Sequence, residues 1–454
     1  MSIIFCPDST FSSQHRLEAS SSGWTEGGSG SHLSVMTMTA DLPKPNDHRD
    51  DGAPDYDVLI VGGGMVGLTL AAALGGAGTA VGVVDRAEME ATTDPGFDGR
   101  ASAIAAGSRA VLDAIGVWPT MARHAGPILE IRVTDGSSPL FLHYDSRELG
   151  DGPLGHIVEN RHIRRALLNR LTALRSVRII GGRSVVANDR GALGAAALLD
   201  DGTRLTSRLI VAADGRDSPL RQDAGIGVTG WSYDQSGIVC TVAHALPHRG
   251  IAQERFLAPG PFAILPMTGD RSSIVWTERS DVADRLMALD DAAFADELAR
   301  RFGDYLGELR IIGKRFSYPL SLVHAERYID DRLALIGDAA HGMHPIAGQG
   351  FNIGIRDIAA LAEVVVDAIR LGLDPGATTV LERYQRWRRF DNTIMLAVTD
   401  GLNRLFSNQI TPIRLVRDAG LAAVDRLPAL KRVLMRHAMG QAGELPRLVL
   451  GQPL

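Results

Sequence analysis

The run Gly62-Gly63-Gly64-Met65-Val66-Gly67 places the smallest residue where a backbone must touch a phosphate. Gly62 permits a tight turn, Gly64 lets the main chain approach a pyrophosphate, and Gly67 allows a helix to pack close to the preceding strand. The apolar run Tyr56–Val61 ahead of it reads as a buried strand, and a helix is expected from about Met65 to Ala77. The amides and positive dipole at the start of that helix favour phosphate. A second strand, Ala80–Val84, leads to Asp85, whose carboxylate is placed to accept hydrogen bonds from an adenosine ribose. This βαβ opening suits a flavin or a nicotinamide dinucleotide, and the loop alone does not separate the two.

Two further stretches bear on that choice. Leu209–Ala213 is an apolar strand ending in Asp214-Gly215, with Ser218 and Arg221 following. Leu333–Ile336 is another, ending in Gly337-Asp338 and continuing through His341 to His344-Pro345-Ile346-Ala347-Gly348-Gln349-Gly350-Phe351-Asn352. Strand ends that carry Asp beside Gly suit a ligand lying across the carboxyl edge of a sheet, where open α/β sheets bind cofactors. Ser218 has no His and Asp in a nucleophile-elbow context, so it reads as the cap of a short helix. His341 and His344 sit in a Gly/Pro turn without a nearby third ligand, so packing or hydrogen bonding is expected there and no metal.

In this order the three stretches resemble the FAD-dependent aromatic hydroxylases, the group that includes para-hydroxybenzoate hydroxylase. His344–Asn352 with Gly354, Arg356 and Asp357 resembles the ubiquinone-biosynthesis hydroxylase branch. So do Val158-Glu159-Asn160-Arg161 with Arg164 and Leu167, and Asp98-Gly99-Arg100-Ala101-Ser102-Ala103-Ile104. The likeness runs from about residue 55 to 440. It implies that Gly62, Gly64, Met65, Val66, Gly67, Asp85 and Arg86 hold the ADP half of FAD. Arg100, Asn160 and Arg161 would lie along the ribityl–pyrophosphate region, and Gly337 and Asp338 at the ribityl hydroxyls. Asp214 and Gly215 belong to a motif tied in the family to FAD and to pyridine nucleotide. His344, Pro345 and Gly348 are the implied catalytic positions, with Gln349, Gly350, Phe351 and Asn352 beside the isoalloxazine ring. A helix beginning near Gly350 would point its positive end at the anionic reduced flavin.

The implied activity is hydroxylation of a polyprenylated phenol in ubiquinone biosynthesis through a flavin C4a-hydroperoxide. Dioxygen would be the co-substrate, and NADH, NADPH or a reductase the electron donor. Two alternatives stay open. One is a related monooxygenase of a small soluble aromatic compound; the other is a non-catalytic flavin-binding scaffold in a biosynthetic complex.

The elements that must position these residues form, in expectation, an α/β chain. A discontinuous Rossmann-like FAD-binding domain (55–127, 152–228 and 322–400) would join a strand-rich substrate domain (128–151 and 229–321), ahead of a helical region at 401–454. Strands are expected at Ala195–Leu199, Ile238–Ala243, Phe262–Met267 and Ser273–Thr277, and helices at about Gly350–Leu371 and Thr379–Phe406. Residues 1–54, rich in Ser, Gly, Asp and Pro, read as a disordered tail. The formal charge of −6, of which the first 55 residues hold −5, argues against a nucleic-acid partner.

The two cysteines, Cys6 and Cys240, fit a reducing cytoplasm and neither a disulfide framework nor a metal site. Neither a signal peptide nor a membrane-spanning run is expected. Trp231, Tyr233, Phe256, Phe262 and Trp276 read first as core and second as the lining of a ring pocket. Arg383, Arg386, Arg388 and Arg389 around Trp387 read as a solvated helix face, with contact to anionic lipid or a partner protein as the sharper reading. The basic C-terminal stretch from Asp400 reads as a packed helical end or as a peripheral contact with the inner face of the cytoplasmic membrane.

Overall fold

Strand β1, Tyr56–Val61, is apolar at nearly every position, and Val58, Leu59 and Ile60 have no exposed surface. A strand covered on both faces needs such a run, and parallel sheets bury their strands in this way. β1 pairs in parallel with Val81–Val84 on one side and with β2, Arg204–Ala212, on the other. β2 pairs in parallel with β3, Leu333–Leu335. Val177–Ile180 and Ile329–Asp330 complete the row, and the hairpin Val185–Gly191/Gly194–Leu199 extends from β2. The register sets Val61 beside Ala212 and Ala212 beside Leu335. Three strand ends far apart in sequence therefore meet at one sheet edge.

The computed structural model describes residues 54–94, 100–136, 141–148, 150, 152–342, 349–406, 427–441 and 443–454. The expected tail up to residue 53, Asp98 and Gly99, and His344, Pro345 and Gly348 lie outside the described residues, as does 407–426 of the C-terminal region.

Helix α1, Met65–Gly76, is buried from Gly67 to Gly75. It is apolar all round because it lies between the sheet and two helices, Asn160–Thr172 and α2, Gln349–Arg370. The second sheet has eight strands, with the 17-residue Val228–His244 and Leu309–Ala325 side by side next to its short edge strand His341–Gly342. Its inner face, with Ile238, Cys240, Phe262, Ile274 and Trp276, packs on helices Ser280–Ala288 and Asp291–Phe302.

Those two helices were not foreseen in the strand-rich middle, although Asp290 caps the second by accepting from the Ala293 amide at 2.8 Å. Leu309–Ala325 runs straight through the boundary expected at 321/322. The expected central strands are present and longer, and the last long helix, α3, spans Thr378–Phe406. No described helix is long and apolar enough to cross a membrane.

Candidate cofactor site

The glycine loop is sterically committed. Gly62 has φ +112°, and a Cβ there would lie 2.2 Å from the Ala213 carbonyl oxygen. A Cβ on Gly67 would fall 1.9 Å from the carbonyl oxygen of Gly62. At Gly64 the same atom would meet nothing within 4 Å. The loop is thus closed against its own fold at two positions and open at the third. The first-turn amides of α1 lack intrahelical acceptors, so the opening faces a ready anion site. Asp85 braces this loop from the side: Oδ2 accepts from the Gly63 amide at 2.5 Å and Oδ1 from the Ala87 amide at 2.7 Å. Arg86 beside it is exposed. Val66 packs under Gly337 and Gly354, where added Cβ atoms would lie 3.1 and 2.9 Å from its methyls.

Beyond β2, Gly215 turns the chain at φ +94°. Asp214 Oδ2 accepts from the Leu220 amide at 3.3 Å, while Oδ1 is buried and has no hydrogen-bond partner among the described residues. Desolvation pushes the Asp214 carboxyl above the usual carboxylate range, against the pull of nearby hydrogen bonds and of Arg221. Ser218 caps the short helix Pro219–Asp223, accepting from the Arg221 amide at 3.1 Å, as expected. Arg221 then donates to the Ala339 carbonyl at 2.9 Å and ties the two Asp-bearing strand ends together. Beyond β3, Gly337 turns at φ +56° and Asp338 is more than half exposed, its Oδ2 3.8 Å from Arg216. Arg216 is steadied by donating to Ser321 Oγ at 2.8 Å.

Behind Asp338 lies a fully buried carboxylate, Asp357 of α2. It accepts from the Gly337 amide (3.1 Å), His341 Nε2 (2.5 Å), Arg388 Nε (3.0 Å) and Asn392 Nδ2 (3.1 Å). Burial alone would raise this carboxyl; the His341 and Arg388 interactions and the Asn392 bond outweigh it and hold it at about 2. One side chain thus fixes the Gly337–Asp338 turn, the strand that starts at His341, and α3. His341 is committed to Asp357. Sequence reading carried Asp357 only as part of a motif and gave Arg388 to a solvated face. The structure corrects the latter: the Arg388 side chain is 4% exposed, because its turn of α3 faces α2.

The other expected positions divide. Asn160, buried at the start of its helix, accepts from Ser102 Oγ at 2.7 Å, and its amide donates to the Arg100 carbonyl at 3.0 Å. The Arg100 guanidinium lies over the Tyr318 ring at 4.6 Å. Arg161 pairs with Glu159 at 3.1 Å. Asn352 uses its carboxamide on a strand: Oδ1 accepts from the Ala105 amide and Nδ2 donates to the Ala103 carbonyl, both at 2.9 Å. That clamp fixes the start of α2 against Ala101–Ala105. α2 begins at Gln349; Gly350 has open space at its Cβ position, and Phe351 is partly buried against the main core.

A dinucleotide cofactor fits this edge. The loop is open only at Gly64, a buried Asp214 oxygen lacks a partner, and an exposed carboxylate stands beside a guanidinium at Asp338. Residues 55–390 match the FAD-binding domain family. The chain is 54% identical over 401 residues to the ubiquinone hydroxylase UbiL of Rhodospirillum rubrum, spanning 88% of this chain and 93% of that one. The chain belongs to the ubiquinone hydroxylases of this FAD-dependent family. It is 36% identical over 386 residues to the 3-demethoxyubiquinol 3-hydroxylase of Escherichia coli, 85% of this chain and 98% of the other. A solved structure, the p-nitrophenol 4-monooxygenase PnpA of Pseudomonas putida, aligns with a TM-score of 0.73 over 86% of this chain and 99% of that chain. At 21% identity, that last likeness is one of fold.

In this hydroxylase the middle aromatics take separate places. Phe262 and Trp276 are core, and Phe256 stacks on Phe406 with centroids 4.0 Å apart. Tyr233 donates to Asp400 Oδ1 at 2.9 Å, and Trp231 is 37% exposed beneath Arg404. Among the described residues one group has the spacing of metal ligands, Glu130, His143 and Asp145. Glu130 already accepts from Arg132 and His143, and Asp145 from Arg147, so the hydroxylase uses these carboxylates in ion pairs.

Proposed function

We propose that this hydroxylase oxidises the aromatic ring of a polyprenylated phenol in ubiquinone biosynthesis, with FAD as resident cofactor and dioxygen as co-substrate. The observation that carries the reading is the 54% identity to a ubiquinone hydroxylase across 93% of that relative. Electrons come from NADH, NADPH or a reductase protein. Reduced FAD supplies the activation of dioxygen, one atom of which enters the ring while the other leaves as water.

The chain's own residues bind, orient and shield. The Gly62–Gly67 loop and the start of α1 take the pyrophosphate, with Met65 and Val66 in the first helical turn. Asp85 and Arg86 border the adenosine end, and Asp85 also keeps the loop in shape through the Gly63 amide. Asp338 binds ribityl hydroxyls, held in place by Arg216 in front and by Asp357 behind the Gly337 amide. Asp214 Oδ1 receives a donor from the bound nucleotide, which removes the penalty of burying it unpaired. Arg100, Asn160 and Arg161 line the approach, and Asn352 anchors the start of α2, whose positive end favours the reduced ring. His344, Pro345 and Gly348 flank the ring in this reading. A substrate with a polyprenyl tail is held in a bilayer, so the hydroxylase works at a membrane surface and beside other enzymes of the pathway.

The test is mass spectrometry of quinone intermediates after deletion of the gene, with and without complementation. Loss of ubiquinone and accumulation of a prenylated precursor lacking one ring oxygen is the expected result. Unchanged quinone in a strain without a second hydroxylase would sink the assignment.

A further inference from the structure

Helix α3 has two unlike faces. Leu381, Tyr384, Arg388, Asn392 and Thr399 point inward and are buried. On the outside, Phe390 is 74%, Ile394 40% and Val398 50% exposed. They recur every four residues, so they form one stripe along the helix. Ala397 and Gly401 beside the stripe are exposed too.

The charges around this stripe are lopsided. Arg383, Arg386 and Arg389 at its N-terminal end are all exposed, and none is ion-paired among the described residues. Arg386 and Arg389, with His324, Gln385, Phe390 and Thr393, line an open hollow of about 530 Å³. Of the helix's three carboxylates, Asp391 pairs with Arg356 and Arg388 and Asp400 with Arg404; Glu382, four residues before Arg386, is exposed.

We propose that this outward face of α3 docks on the anionic-lipid surface of a bilayer, Phe390, Ile394 and Val398 entering the acyl boundary while Arg383, Arg386 and Arg389 meet lipid phosphates. Charge complementarity selects this occupant. A second copy of the chain would offer the same face, whose Asp391 and Asp400 are already neutralised, and so would bring one exposed carboxylate, Glu382, against three arginines. An interfacial helix binds through buried apolar area plus attraction to anionic lipid. Each arginine near a charged surface strengthens binding roughly fivefold. The inference rests on the functional reading above only for its motive, that a membrane holds the substrate.

The test is co-sedimentation of the full-length, FAD-loaded protein with vesicles of phosphatidylcholine alone or mixed with phosphatidylglycerol. Binding is expected to the mixed vesicles, to weaken with added salt, and to fall roughly 25-fold in Arg386→Gln/Arg389→Gln. Phe390→Ser/Ile394→Ser is expected to lose binding with unchanged flavin content, because both side chains lie on the outer face of α3 and neither is buried. Equal binding to both vesicle types, no binding to either, or binding indifferent to these variants would overturn the proposal. So would self-association that disappears in Phe390→Ser, which would make a second copy the occupant. A negative result here leaves the quinone profile of the deletion strain untouched, so the two readings fail separately.

Discussion

Asp214 and Asp338 occupy equivalent places, each just beyond one of two neighbouring parallel strands of the same sheet and each beside a glycine with positive φ. Their surroundings are opposite. Among the described residues one Asp214 oxygen is buried without a hydrogen-bond partner, and its carboxyl is pushed up by desolvation. Asp338 stands in the open, 3.8 Å from Arg216. The difference lies behind them. The short helix Pro219–Asp223 folds back over Asp214, whereas the Asp338 turn is held from below by Asp357 through the Gly337 amide. A strand end thus sets where a carboxylate sits, and the next dozen residues set how much of it is covered.

The largest effect expected from disturbing this contrast is at its support. Asp357→Ala takes from buried Arg388 one of its two carboxylates and from His341 its acidic partner, and should lower unfolding stability by about 3–5 kcal/mol, read by urea titration. A loss under about 1 kcal/mol would mean that Asp357 does not hold the turn. Asp338→Ala should instead spare apo-protein stability to within about 0.5 kcal/mol. It should weaken FAD by about 1.5–3 kcal/mol, measured by flavin fluorescence titration, because it removes a charged hydrogen-bond acceptor. Equal losses in both measurements would erase the distinction between support and ligand. Ser218→Ala should cost about 1 kcal/mol through the lost cap and loosen the cover over Asp214.

The smallest effect is in pH dependence, and its sign separates the two buried carboxylates. Asp357, held at about 2, contributes stability that is complete above an unfolded value near 3.8 and is lost as pH falls toward 2. Asp214 is shifted the other way, so its contribution is complete below that unfolded value and is lost as pH rises through its raised folded value. In the apo protein the stability deficit of Asp214→Asn should therefore shrink as pH rises across this range, and that of Asp357→Asn should grow. Parallel pH profiles of the two variants would contradict these assignments.

The glycine loop was readable in sequence because much of its demand is local: Gly62 turns at φ +112° and Gly67 meets the Gly62 carbonyl five residues back, although the carbonyl that bars a side chain at Gly62 belongs to distant Ala213. The strand ends were readable for the same reason. The Asp357 node was not, since its donors come from positions 337, 341, 388 and 392, and no short window holds them together. Arg388 looks like Arg386 and Arg389 by type. Only its place in the stripe with Leu381, Tyr384 and Met395 marks it as inward, a helical spacing that could have been counted. Asn352 was expected beside the flavin, and its carboxamide joins α2 to Ala103 and Ala105, a partner some 250 residues away that spacing does not reveal.

The cofactor edge needs β1, β2 and β3 together, and β3 ends at Leu335. A ribosome adding about 5–20 residues per second spends tens of seconds between Val61 and that point. At the end of that interval the Gly62 loop has Asp85 and Ala213 beside it but still lacks the third strand end, with Gly337 under its helix. On the site proposed above, a newborn chain should be unable to capture flavin until the last third emerges, and a truncated product, however long its N-terminal βαβ unit survives, should accumulate colourless.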